Sequence, residues 1–516
     1  MLSACGGGGG GGNGASPPAP LPPSPSPPSQ STGWPLEILS WQLDRAYPGT
    51  LYETRVGVKG GVYPYRYALR TAPTGMAIDT RRGVVTWTAP GTPAAAQTVA
   101  VDITDAAGAQ ISASWTVEVT TRGFYFVSAN GSDTTGDGSR SNPWATLRWA
   151  NDRTHNHDPT DIVYVTAGTY AAGLELGARN GHRSPLVWLA WPGDRVVLDA
   201  ARSVAVGLWT RTGDRALFQG FEWQNAREKM FWLQGETHNV VWRNNVMRDI
   251  VSVGLNNPAF IFTEDDNISR PIEDRVQYDR LVAQDNVFHT LRNAANDPTQ
   301  PSPGHGAAAV LYNVRNFLFE DNEVYDIDGR CVGDKDDGYF NTFRNNVLHD
   351  CSDGGIRIEN QISQGQIEIS HNLIYGIDAG IVIGWQPGYL RDVYVHHNTV
   401  VDGYIKFRWV LNEPLSGNIV VERNLISRSD GRHAYDAEEP DAMSAVDSDR
   451  VTIDRNLVWT TGSTIFAGQW GRVLRDFAAW QSAGHDANGV NADPALVDRR
   501  LPAGSPYLGY YGRDLP

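Results

Sequence analysis

Five segments in the second half of the chain repeat one pattern of apolar and polar positions: FLFEDNEV, NTFRNNVL, IEISHNLI, VYVHHNTV and IVVERNLI. Each is a short alternating apolar run, then a polar residue and an asparagine, then a further apolar pair. The asparagines are Asn322, Asn346, Asn372, Asn398 and Asn424, in steps of 24 to 26 residues. Less regularly spaced copies of the phrase surround Asn245, Asn286 and Asn456. A period of this length, filled with strand-type alternation and not with heptads, predicts a solenoid. Strands of about five residues separated by turns suit one coil of a right-handed parallel β-helix. The leucine spacing of a leucine-rich repeat is missing. Asparagine at one place per coil has a physical reason: it tolerates turn conformations, and stacked amides can hydrogen-bond along the axis. The predicted fold class is all-β, with about 25 residues per coil.

Ahead of the repeats the alternation differs. Between residues 34 and 120, runs such as VVTW (84–87), VAVDI (99–103) and WTVEV (115–119) are broken by Pro-Gly turns. That spacing predicts a separate small β-sandwich. The register changes at Phe124, and residues 122–510 are assigned to the β-helix. Leu147 to Asn151 predict part of a helix that closes the open end of the coil stack. Residues 6–33 form a linker, first a glycine run and then mostly Pro and Ser, which cannot build a core. Before it, Leu2-Ser3-Ala4-Cys5 resembles the lipobox of bacterial lipoproteins, without the basic and apolar regions of a signal peptide. The resemblance implies lipidation at Cys5, within residues 1–5, and an exported protein of the cell envelope or extracellular space. No stretch reaches the roughly 18 apolar residues of a membrane span, so the expected membrane link is lipid alone.

Composition narrows the partners. A net charge of -15 argues against nucleic acid, which needs a basic face. It argues less against an anionic sugar polymer, because a local basic groove can sit on an acidic protein. The 17 Trp and 20 Tyr offer faces for stacking on sugar rings, although most such rings belong to a core. Of the 3 Cys, Cys331 and Cys351 are expected as small buried side chains and not as a disulfide, because aligning the coils puts Cys331 over Ile356. A monomer is expected.

The line PYRYALRTAPTGMAIDTRRGVVTWTAP (64–90) resembles the Ig- or cadherin-like domains of bacterial surface proteins. That implies a spacer or a sugar-binding module and carries no catalytic residue. FYFVSANGSDTTGDGSRSNPWATLRWA (124–150) resembles the opening of pectate-lyase-like β-helix proteins, and NADPALVD (491–498) with LPAGSPYLG (501–509) their closing lines. Asp133, Asp137 and Asp161 fit turn chemistry and a helix cap better than a metal loop.

Stacked strands leave a long face of outward-pointing residues where chemistry can sit. Aligning DGRCVGDKDD (328–337) on DGGIRIENQ (353–361) and DAGIVIGWQ (378–386) turns Ile356 and Ile358 inward and Arg357 and Glu359 outward. Asp334 then stacks near Glu359, Lys335 near Asn360 and Trp385, and Arg408 near the Arg357 column. His305 enters from the coil before. The expected patch holds His305, Arg330, Asp334, Lys335, Asp336, Asp337, Arg357, Glu359, Trp385 and Arg408. It suits β-elimination on a uronate polymer: a base removes the proton beside the carboxylate while a cation neutralises that carboxylate. Lys335 is the candidate base, Arg357 the clamp, and His305 a further catalytic candidate. Arg330, Glu359, Trp385, Arg408 and Asp334 are candidate substrate contacts.

The run KDDGYFNTFRNN followed by GGIRIEN resembles the polysaccharide lyase family that contains alginate lyases and chondroitinase B. That family places a catalytic Lys and Arg about one coil apart, which the resemblance carries to Lys335 and Arg357. The family's Arg is followed by His-Gly, whereas Ile358-Glu359 follow here. Its calcium-binding acidic pair falls on Asp328 and Arg330, so one ligand is replaced by a cation; calcium stays open, with Asp328, Asp336 and Asp337 as possible ligands. FTEDDN, with Glu264, Asp265 and Asp266, is a second hard-oxygen candidate. Two further classes remain: a β-helix glycoside hydrolase, which needs two carboxylates flanking the bond, and a non-catalytic carbohydrate-binding or adhesive solenoid.

Overall fold

The computed structural model describes residues 34–154, 161–176, 186–210, 213–252, 258–264, 277–293, 306–359, 363–384, 389–408 and 418–513. Cys5, the 6–33 linker, Asp265, Asp266, His305, Asn360 and Trp385 lie outside the described residues. From Phe124 the chain winds into three parallel sheets, adding one strand to each per coil. Thr342–Arg344, Val347–Cys351 and Gly354–Ile358 form one such coil, on sheets I, II and III respectively. Inward columns stack like with like: Phe319, Phe343, Ile369, Val395, Val421 and Ile453 lie in register on sheet I. The fold is a right-handed parallel β-helix.

The corner between sheets I and II accounts for the repeat. The residue before each asparagine is left-handed, with φ of 56° at Asp321, 58° at Asn345, 56° at His371 and 52° at His397. That kink turns the next side chain inward. Asn346 Nδ2 donates to Phe319 O and to Asn372 Oδ1, both at 2.9 Å, and its Oδ1 accepts from the Asn322 backbone at 3.0 Å. The amides form one ladder through Asn245, Asn286, Asn322, Asn346, Asn372, Asn398, Asn424 and Asn456. It ends on Asp486, whose Oδ1 accepts from Asn456 Nδ2 at 2.9 Å. The three irregular asparagines therefore belong with the other five.

Helix Leu147–Thr154 seals the first coils, with Leu147 and Ala150 in the main core. Asp133 accepts from the Ala145 and Thr146 backbones and from Thr146 Oγ1, which fixes the turn before that helix. At the far end Trp480, on helix Phe477–Ser482, stacks on Tyr435 and Phe466.

Cys331 and Cys351 form a disulfide, with Cα atoms 5.6 Å apart, contrary to the expectation of two separate thiols. Cys351 stacks directly over Ile327, and Cys331 is the second residue of the sheet III strand Arg330–Asp334 in Ile327's coil. The bridge thus runs diagonally inside the corner between sheets II and III. Comparing only residues at equal positions in successive coils misses a diagonal partner.

Before the β-helix, a four-stranded sheet (Arg45–Ala46, Gln110–Val119, Ala94–Thr104, Arg66–Thr71) faces a three-stranded one (Leu51–Arg55, Val84–Thr88, Ala77–Ile78). This Ig-like unit is docked on the outer face of sheet I. One apolar cluster runs from its Leu43, Tyr52, Trp87 and Val117 into Phe124, Ile162, Val187, Leu217, Val241, Val282 and Leu318 of the helix. Those seven are one outward column of sheet I, followed by Thr342 and Glu368 where the contact turns polar. There, buried Arg55 pairs with Asp285 at 2.7 Å and Glu320 at 2.9 Å, and also with Asp321. Arg344 reaches back to Tyr65 Oη at 2.9 Å and Val58 O at 2.8 Å.

Candidate active site

Sheet III carries the candidate chemistry on its outer face. Where its strands start, two consecutive residues enter the core: Met230-Phe231, Phe260-Ile261, Ala308-Ala309 and Cys331-Val332. Breaking the alternation leaves the residues on either side of each pair outside. One outward column reads Trp209, Trp232, Phe262, Val310, Gly333, Arg357, Val382, Lys406. The first part is aromatic: Trp209 and Trp232 stack at 5.6 Å, and Phe262 lies 5.8 Å from Tyr312. Buried Lys229 sits 4.8 Å from the Trp232 ring and 4.4 Å from that of Phe262. Burial lowers its ammonium pKa, against the opposing pull of Glu228 and Glu264.

The second part is charged, and three cations converge on one carboxylate. Glu359 accepts an ion pair from Arg330 at 3.0 Å, from Arg357 at 3.6 Å and from Lys335 at 3.6 Å. Arg357 also bonds Asp353, to its carboxylate at 2.8 Å and its carbonyl at 2.6 Å. Burial brings the Arg357 guanidinium below the usual arginine range, with Asp353 pulling the other way and Arg330 adding to the fall. Lys335 Nζ donates to Tyr312 Oη at 2.6 Å. Arg330, Arg357 and Glu359 are each no more than 2% exposed, so these charges act in a weakly screened setting.

The expected patch is brought together in part. Arg330, Lys335, Arg357 and Glu359 meet, and Ile356 and Ile358 face the core as alternation requires. Two expected placements are corrected by one residue of register. Val332, not Cys331, stacks on Ile356, and Asp334 stacks on Ile358, because the coils keep a constant offset and do not align on their Asp-Gly pairs. Asp334 is therefore not a surface neighbour of Glu359: it is fully buried and accepts from Asn341 Nδ2 at 2.9 Å. Asp336 and Asp337 are buried as well. Lys406, not Arg408, occupies the Arg357 column; Arg408 pairs with Glu439 at 2.8 Å.

Arg330, standing where a second acidic ligand would be, puts a guanidinium on Glu359, and Asp328 turns toward Arg292 at 4.0 Å. No cluster of three metal-ligating side chains occurs among the described residues. The residues missed from sequence are Tyr312, Lys229 and the aromatic column; Asp353, a candidate carboxylate of the hydrolase alternative together with Asp334, Asp336, Asp337 and Glu359, is found holding Arg357. Tyr312 was within reach, since AVLY (309–312) aligns on VGDK (332–335) once the register is right.

Residues 277–400 match the family model "Right handed beta helix region", and residues 27–120 match the model "Putative Ig domain". No curated protein sequence matches the chain. Among solved structures, the periplasmic alginate epimerase AlgG is similar at 12% identity over 63% of this chain and 80% of that one, with a TM-score of 0.32. A mannuronic acid specific polysaccharide family 6 lyase from human gut microbiota is similar at 12% identity over 66% and 87%, with a TM-score of 0.25. The chain spans 57% of the length of a Bacteroides fragilis protein, at 10% identity over 38% of its own length and a TM-score of 0.16. At these values none of the three bears on the site. The chain is a right-handed parallel β-helix protein with an Ig-like domain docked at its N-terminal side.

Proposed function

We propose that the protein is a carbohydrate-active enzyme that cleaves a uronate-containing polysaccharide by β-elimination. The carrying observation is the Lys335–Tyr312 pair beside Arg330 and Arg357 on the outer face of sheet III. In this reading the substrate carboxylate exchanges with Glu359 for the two guanidinium groups, which acidifies the neighbouring C–H. Lys335, as the neutral amine after its own proton has left to solvent, removes that proton, the electron pair forms the ring double bond, and the glycosidic C–O bond breaks. Tyr312 supplies the proton to the departing oxygen. The half-buried, stacked rings of Trp209 and Trp232 offer faces to the adjoining sugars. A hydrolase is less well supported, because it needs two carboxylates flanking the bond and Glu359 is engaged by three cations. Export into an oxidising compartment accords with the Cys331–Cys351 bridge.

The test is ultraviolet absorbance of unsaturated uronate on incubation with alginate, pectate, chondroitin and heparin-type polymers, with and without calcium. Absorbance should rise on one of these without added calcium and fall by about 10²–10⁴-fold in Lys335→Ala. Reducing ends without absorbance would mean hydrolysis. Neither signal, with the polymer still bound, would mean a binding face.

A further inference from the structure

A second site lies away from sheet III, in the seam between the two domains. A cavity of about 660 Å³ opens there between the loop and strand around Tyr63 and Arg66 of the Ig-like domain and the corner of sheets I and II near Asp321 and Asn345. Its size falls in the about 300–1,000 Å³ range of small-molecule sites. Five arginines line it against three carboxylates. The carboxylates are largely spent: Glu320 and Asp321 neutralise Arg55, and Glu323 faces His349 at 3.5 Å. Arg82 pairs with Asp285. Arg66, Arg81 and Arg513 make no ion pair among the described residues, and Arg513 holds a buried Nε without a hydrogen bond. Two of these cations come from the Ig-like domain and one from the C-terminal segment, which Thr399 fixes by accepting from the Arg513 backbone at 2.8 Å. Arg66 and Arg81 are exposed and Arg513 is half-buried, so three cations from two parts of the chain, brought to one cavity, leave a local excess of positive charge that favours an anion.

The rest of the wall narrows the ligand. Tyr63 presents a half-buried ring, Asn345 an amide and Glu323 a partly exposed carboxylate that can accept from hydroxyl groups. The geometry points to a binding site for a carboxylated sugar, a short uronate oligomer held by Arg66, Arg81 and Arg513 with Tyr63 against a ring face. Its identity as a uronate rests on the function proposed above; its anionic character does not. Such a site would grip the polymer on a different face from the one that cuts it.

Full-length Lys335→Ala protein is titrated calorimetrically with mannuronate and galacturonate tetramers, a neutral cellotetraose and sodium sulfate. The same protein carrying Arg66→Ala with Arg81→Ala, or Arg513→Gln, runs beside it. A uronate tetramer should bind and lose affinity roughly tenfold in the seam variants, as expected for removed charged hydrogen bonds. It should also shield Arg66 and Arg81 from phenylglyoxal, read by peptide mass spectrometry on unmutated arginines, so a poorly folding Arg513→Gln does not decide the matter. Unchanged affinity with no shielding would overturn the site, and so would sulfate binding as tightly as the tetramer. Shielding, together with a wild-type protein that yields no unsaturated product from any of the polymers, would sink the lyase reading and leave this one standing.

Discussion

Replacing Asn346 by alanine should cost far more than one surface hydrogen bond. Its fully buried side chain makes four hydrogen bonds: Nδ2 donates to Phe319 O and Asn372 Oδ1, and Oδ1 accepts from the backbone and side-chain nitrogens of Asn322. The partners do not suffer equally. Asn322 Nδ2 keeps Ala283 O, and Asn372 Oδ1 keeps the Asn346 backbone N–H. The Asn322 backbone N–H loses its acceptor in a dry corner. A buried group left unsatisfied costs about 1–3 kcal/mol, so one complete orphan and three weakened partners come to about 3–5 kcal/mol. Equilibrium urea denaturation followed by tryptophan fluorescence reads the loss. Hydrogen exchange should show it concentrated around residues 317–372, because a solenoid couples nearest neighbours. Asn346→Ala within about 1 kcal/mol of wild type, with no local rise in exchange, would refute the idea that the ladder carries net stability.

Three further outcomes are expected. Arg55→Met should destabilise by about 3–5 kcal/mol by removing the buried cation that Asp285, Glu320 and Asp321 share, leaving three carboxylates on Arg82 and Arg344 alone; limited proteolysis that fails to attack the domain seam sooner would contradict this. His371 and His397 are held well below the ordinary imidazole range, by burial first and then by the neighbouring histidines and arginines. The unfolded chain then binds more protons below about pH 6.5, so stability should fall as pH drops from about 7 toward 5. Melting midpoints against pH check it, and His371→Gln must flatten the slope. Removing the Cys331–Cys351 bridge, which spans 20 residues, should cost about 3 kcal/mol; an unchanged urea midpoint on reduction would count against it.

The coils were legible because burial of one face fixes the alternation, and the corner asparagines because each must satisfy buried backbone groups. The lysine and arginines of the candidate site were legible as outward neighbours on adjacent coils. The one-residue register error came from matching Asp-Gly pairs, which are corner chemistry, when the stacking of Val332 on Ile356 decides the offset. Tyr312 was hidden by the same slip. Docking of the Ig-like domain left a trace that was not used: FYFV, IVYV and LVWLA are apolar on both faces, as strands covered on both sides must be. The seam cavity needs Arg66, Arg81 and Arg513, more than 400 residues apart at the extremes, and no local pattern joins them.

The asparagine ladder also has a direction. Every amide gives its Nδ2 proton toward the C-terminal coil and receives from the N-terminal one, until Asp486, which can accept but has no amide proton to pass on. Its second oxygen is taken by Tyr435 Oη and Trp480 Nε1, both at 3.1 Å. Coils can therefore be duplicated or lost anywhere between two asparagines, since each junction offers the same donor and acceptor. None can be appended beyond Asp486 without first turning that carboxylate back into an amide. The length of this solenoid is punctuated by a single oxygen-for-nitrogen exchange.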